Sequence, residues 1–233
     1  MVIKKWISSL LSLFFPRYCT VCKSVLLQQE DVLCLDCAVS LPRTQFHLQP
    51  DNAMEQLFWG KVEIRRATSF FYYRKGSRYK QLLYQLKYKG RKEIGESIAA
   101  TMTSEIINTS HFFDSIDVII PVPLHPDKLK LRGYNQSEWI AKGVSRIASL
   151  PINTKSLIRN KYTETQTQKS VWDRQENIKD VFQLVSSSEL CGKHVLLIDD
   201  VVTTGATLTA CATVLSAVPK VSISFLTLAM VEY

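Results

Sequence analysis

Val195-Leu196-Leu197-Ile198-Asp199-Asp200-Val201-Val202-Thr203-Thr204-Gly205-Ala206-Thr207 decides how this 233-residue chain reads. Four apolar residues have the pattern of a buried strand, two carboxylates follow, and a hydroxyl-rich turn opens a helix. Adjacent carboxylates accept hydrogen bonds from a diol, and the free N–H groups of a Thr/Gly turn at a helix N-terminus hold a phosphate. Together they imply a ligand with both groups, and ribose 5-phosphate is the obvious candidate. A strand followed by Asp and Thr is also how an ordinary helix acquires its N-cap. Here, however, two acids, three threonines and one glycine fall within nine residues, directly after an apolar run where an α/β ligand site belongs.

The segment Leu197 to Thr207 resembles, without a gap, the phosphoribosyl pyrophosphate (PRPP) motif of type I phosphoribosyltransferases. That resemblance implies that Asp199 and Asp200, the catalytic acids, hold the ribose hydroxyls. Thr203, Thr204, Gly205, Ala206 and Thr207 would wrap the 5-phosphate, with Mg²⁺ accompanying PRPP. The carboxylates would also stabilise positive charge building on the ribose ring as pyrophosphate leaves.

Working outward, the net charge of +8 is uneven. Residues 1–60 carry five basic and five acidic side chains, residues 61–95 eleven and two, and residues 96–233 thirteen and fourteen. All the excess positive charge lies in one 35-residue stretch, which argues for a localised anion-facing surface. Within it, Ile64 to Tyr73 reads as a strand, and Ser77 as the N-cap of a helix. At about 100° per residue, Tyr79, Leu82, Leu83 and Leu86 share an apolar face. Lys80, Tyr84, Lys87, Tyr88 and Arg91 share another, provided the helix continues past Gly90. Cations beside flat rings suit single-stranded nucleic acid; a solvated basic face with tyrosines over the core is the plainer alternative.

Cys19-Thr20-Val21-Cys22 and Cys34-Leu35-Asp36-Cys37 are two Cys-x-x-Cys pairs separated by eleven residues. Four thiolates at that spacing suit a structural zinc ion, with a short hairpin over Lys23 to Leu33 as in a zinc ribbon. Disulfides are the alternative; Cys191 and Cys211 stand apart and read as packed apolar residues. Ahead of the pairs, Lys4 and Lys5 precede an apolar run from Ile7 to Phe15 that is too short to span a bilayer and has no small-x-small cleavage site. It reads as an amphipathic helix docked on the protein, or as a membrane-surface helix.

A helix is expected over Ile94 to Ile107, and a buried strand over Asp117 to Ile120. The loop Pro121-Val122-Pro123-Leu124-His125-Pro126 follows, leading to Arg132-Gly133-Tyr134-Asn135-Gln136. In a parallel α/β sheet this loop lies at the carboxyl edge. Arg132, Asn135 and Gln136 suit a pyrophosphate or a base, although Asn135 could simply cap a helix running from Gln136 to Ile147. A helix over Leu208 to Ala217 and a strand over Val221 to Ala229 complete the domain. The four histidines build no catalytic or metal pattern.

Leu86-Lys87-Tyr88-Lys89-Gly90, Pro121-Val122-Pro123 with Arg132-Gly133-Tyr134-Asn135-Gln136, and Thr163 to Ser170 with Arg174, Asn177 and Phe182 resemble motifs of the bacterial ComF family, associated with DNA uptake in natural transformation. The resemblance implies a type I phosphoribosyltransferase α/β fold over 61–233, a connector over 46–60, and a zinc-ribbon-like module with its N-terminal helix over 1–45. It places Val122, Pro123, Leu124 and Arg132 near the pyrophosphate. Gln166, Lys169, Arg174 and Asn177, with Asn135 and Gln136, would line the same pocket. The implied partners are PRPP or another phosphoribosyl ligand, single-stranded DNA and DNA-uptake machinery. The implied location is cytoplasmic or peripheral at the inner membrane, without a transmembrane segment. Two roles remain open: a binding protein in DNA uptake, and an active transferase that joins ribose 5-phosphate to a nitrogenous acceptor.

Overall fold

A computed structural model describes residues 15–159 and 181–232. The expected N-terminal helix, and the pocket candidates Gln166, Lys169, Arg174 and Asn177, lie outside the described residues. Four parallel strands form the central sheet in the order β1-β6-β5-β2: β1 (Ala67–Tyr73), β6 (Ser222–Val231), β5 (His194–Val202) and β2 (Val118–Pro121). Val195 to Ile198 are fully buried, as an apolar run in a sheet covered on both faces must be. A separate two-stranded antiparallel pair joins β3 (Leu157–Arg159) to β4 (Phe182–Leu184).

Helices α3 (Lys80–Tyr88), α4 (Glu93–Thr109) and α6 (Gln136–Ala148) pack with one half of the core. Tyr79, Leu82, Leu83 and Leu86 are buried there, so the apolar face of α3 is where its periodicity puts it. Helix α7 (Ala206–Leu215) packs in the other half. The short helices α1 (Leu35–Val39), α2 (Ala53–Gln56) and α5 (Pro126–Arg132) lie among the connections.

The stretch read as a connector is built into the second half of the core. Arg43 bridges Phe71 antiparallel and covers the β1 edge, and Phe46, Met54 and Phe58 are buried. Asn52 caps α2 through Met54 and Glu55 N–H, while its amide donates to the carbonyls of Phe46, Gln49 and Ala67. The segment expected as a connector therefore holds a buried hydrogen-bonding hub at Asn52.

The cysteine module shares the first half of the core, where Cys19, Val21, Leu26, Val32 and Cys37 cluster with Phe70, Leu82 and Leu86. Its internal form differs from the expected hairpin over 23–33. The first pair sits instead in a tight turn, where Cys19 N–H donates to Ser24 O (2.8 Å) and Tyr18 bridges Val25. The second pair opens α1, and the Glu30 carboxylate accepts from Leu27 N–H and Leu35 N–H (both 2.7 Å), bracing the two together.

Candidate functional site

Asp199 and Asp200 lie near the carboxyl end of β5, and the Thr203–Thr207 turn leads directly into the ten-residue helix α7. Thr203, Thr204 and Thr207 are exposed and line a small hollow of about 80 Å³ together with Asp199. Gly205 is the N-cap at φ +78°, a left-handed conformation that side chains disfavour. A Cβ there would lie 2.7 Å from the ring of Phe58, which itself packs edge-on to Phe225 at 4.5 Å. The phosphate-type turn is thus shaped from below by a residue of the supposed connector, a part that no motif in the sequence signals.

The two acids differ. Asp199 accepts from Ser137 Oγ (3.1 Å) and from the N–H of Asp200 (2.8 Å). Burial, and then the charge of Asp200, push its carboxyl up to about 7, although Lys87 and the hydrogen bonds pull the other way. Asp200 is buried and its Oδ1 lies 2.9 Å from Lys87 Nζ. The Lys87 side chain, expected on a nucleic-acid face, is turned toward the acid pair. Lys87 and Asp200 lie far apart in the chain, so no local pattern could have revealed the pair.

Arg91 lies beyond the end of α3, and its guanidinium reaches back to donate to Gln85 Oε1 (3.4 Å). The helix ends at Tyr88, Lys89 caps it by donating to Gln85 O, and Gly90 follows at φ +70°. Arg91 also pairs with Glu93. Tyr84 and Tyr88 stay exposed, with ring centroids 5.5 Å apart and tilted by 44°, and Lys80 is exposed beside them. Between α3 and the carboxyl ends of β1, β5 and β6 lies a cavity of about 570 Å³. Tyr73, Lys80, Tyr84, Lys87, Tyr88 and Thr203 are among its lining residues, so α3 forms a wall of the space beside the clamp.

The loop after β2 is docked onto the same helix. Tyr134 OH donates to Leu86 O, and the Arg132 guanidinium lies 5.3 Å from the Tyr88 ring centroid. Arg132 Nη1 donates to Gln136 Oε1 (2.7 Å), whereas its buried Nε has no hydrogen-bond partner among the described residues. Gln136 is therefore a buried brace for Arg132. Asn135 caps α6 at Ser137 N–H, and its amide donates to Val122 O (3.0 Å). Val122 N–H already donates to Ile198 O (2.9 Å), so the Val122 backbone extends the sheet and is spoken for on both sides. Pro123 has no N–H, which leaves Leu124 as the residue of this trio with a backbone donor to offer.

The four Cys sulfurs of the module lie within 4.8 Å of one another, with Cys22 and Cys34 Sγ 3.5 Å apart. A zinc ion with ~2.3 Å bonds to four thiolates spaces its sulfurs by roughly 3.8 Å, so the donor set fits such an ion. All six cysteines are free; Cys211 is buried as expected, whereas Cys191 is exposed instead of packed. No helix among the described residues is long and apolar enough to cross a membrane.

A parallel sheet flanked by helices, with an acid pair and Thr/Gly turn at its carboxyl edge and an appended four-cysteine cluster, defines an α/β fold with a small N-terminal module, the architecture that the phosphoribosyltransferase-like motif implies. The chain is similar to proteins named for competence and for DNA utilization. It is 34% identical to "Competence protein F" of Haemophilus influenzae over 54% of this chain, and the match spans 57% of that protein's length. It is 28% identical to "DNA utilization protein YhgH" of Escherichia coli over 84% of this chain and 83% of the relative. "Competence protein ComFC" of Bacillus subtilis is 26% identical over 78% and 77%. No family model matches the chain. Among solved structures, it is similar to glutamine PRPP amidotransferase from B. subtilis (TM-score 0.42, 19% identity, 61% of this chain and 30% of that one). Adenine phosphoribosyltransferase from Leishmania tarentolae gives a TM-score of 0.37, with 13% identity over 82% and 94%.

Proposed function

We propose that this protein binds PRPP or a related phosphoribosyl compound at the carboxyl edge of its sheet and serves in the handling of incoming DNA during natural transformation. The observation that carries the ligand assignment is the acid pair of β5 set beside exposed threonines at the N-terminus of α7. Asp199 and Asp200 take the ribose hydroxyls, the Thr203–Thr207 turn takes the 5-phosphate, and the Arg132 guanidinium supplies positive charge for a further anionic group. Mg²⁺, held with PRPP, supplies charge neutralisation of the pyrophosphate. The relatives' names, competence and DNA utilization, support the biological role. Lys80, Tyr84, Lys87 and Tyr88 offer cations and rings to a single strand, zinc holds the cysteine module together, and the site of action is the cytoplasm or the inner face of the membrane.

Transferase activity is the second reading, favoured by the open cavity beside the clamp, which has room for an acceptor. One experiment separates them: titrate PRPP with Mg²⁺ calorimetrically, then follow pyrophosphate release with a panel of nitrogenous bases. Binding without base-dependent release supports the binding role; robust release establishes the transferase. Absence of PRPP binding removes both.

A further inference from the structure

We infer that the phosphoribosyl ligand and the single strand share one site and exclude one another, with a nucleotide unit of the strand entering the cavity between α3 and the carboxyl edge. This rests on the reading above and adds the relation between its two ligands. The cations and rings suited to a strand are Lys80, Tyr84, Lys87 and Tyr88, and all four line the cavity together with Thr203 of the phosphate turn. Lys87 is the decisive residue. Its side chain is 20% exposed and its Nζ is 2.9 Å from Asp200, so the cation that a strand would draw on also belongs to the clamp.

Of the remaining basic residues in the stretch, Lys61, Arg65, Lys75, Arg78 and Lys92 are exposed elsewhere, and three others are paired with carboxylates. Arg66 pairs with Glu55, Arg74 with Glu232, and Arg91 with Glu93, so part of the basic stretch is neutralised away from α3. Exposed Lys80 and Lys89 remain on α3 and at its end. With centroids 5.5 Å apart, the Tyr84 and Tyr88 rings leave no room for a base between them. A stacked base must therefore use their outer faces, within the cavity they line. About 570 Å³ falls within the range of ~300–1,000 Å³ typical of sites for one small ligand. It suits a single nucleotide-sized group, not a strand and a phosphoribosyl group at once. Exclusion is reciprocal by linkage: each ligand weakens the other by the same factor.

The test uses the unmodified protein. Binding of a fluorescent oligothymidylate of ~15 nucleotides is followed by anisotropy while PRPP with Mg²⁺ is raised to about ten times its own Kd, with sulfate matched for ionic strength in the control. The expected result is an apparent strand Kd roughly tenfold higher with PRPP and unchanged with sulfate, a shift of about 1.4 kcal/mol. Strand affinity that is unchanged or tighter while calorimetry shows PRPP bound overturns the shared site and leaves both binding activities standing. Absence of either binding activity overturns the underlying reading together with this inference.

Discussion

Asp199 and Asp200 are neighbours in sequence, yet their surroundings give them opposite characters. Asp200 faces a lysine, whereas the Asp199 carboxyl, desolvated beside a second negative charge, rises from 3.8 to about 7. The pair can therefore carry one proton near neutrality, a common way of assigning distinct duties to two carboxyls. The unfolded chain releases the Asp199 proton near its ordinary value, while the folded state keeps it until about pH 7. Over that window the native state binds more protons, so stability falls as pH rises and levels off above about 7. Asp199→Asn should flatten this slope and leave the protein more stable than wild type at pH 8. Denaturant unfolding across pH 4–8 measures it, and a slope unchanged in the variant would assign it to other groups. That two acids sit beside a Thr/Gly turn was legible in consecutive residues; that Lys87 pairs with Asp200 was not.

At the level of elements, the loop after β2 is held rather than free. Asn135 caps α6 and also latches the Val122 carbonyl. Replacing it with Ala removes a cap and leaves a buried acceptor unpaired, a loss of about 2 kcal/mol. PRPP affinity should fall with it as the Val122–Leu124 backbone loosens. Asn135→Ser restores the cap without the latch, so it should recover most of the stability but not the affinity; full recovery of both, by unfolding and calorimetry, would show the latch to be idle. Sequence pattern foresaw both the cap and the ligand-facing loop as alternatives. In the structure one side chain serves the first and supports the second, because its amide has a donor to spare after its oxygen has capped the helix. Helix α3 teaches the converse lesson. Its apolar face follows from periodicity, but its stop at Gly90 removes Arg91 from the basic face that a longer helix would have carried.

Across the whole molecule, the cysteine module is continuous with the core of the main domain. Tyr79 OH donates to Cys37 O (3.1 Å), Gln85 Nε2 donates to Thr20 O (3.4 Å), and both residues belong to the segment that forms or leads into α3. Disturbing the module should therefore reach the wall of the ligand cavity. Cys37→Ser, or chelation of a zinc-loaded preparation, is expected to lower the melting temperature of the entire chain by roughly 10 °C in one cooperative transition. Metal release and strand affinity should change together. Calorimetry resolving two transitions, with the main one unmoved, would establish the module as an independent unit instead.

Taken alone, the sequence determined the features written in consecutive residues: the acid pair and its Thr/Gly turn, the two cysteine pairs, the amphipathic face of α3, and the apolar strands of a buried sheet. Each depends on backbone conformation or side-chain spacing within a few positions, so its physics is local. Tertiary structure alone decided that Lys87 pairs with Asp200, that Phe58 of the expected connector lies under Gly205, and that the basic helix and Thr203 of the turn line one cavity. Those relations join segments far apart in the chain, and only close packing of the layers brings their side chains within reach of one another.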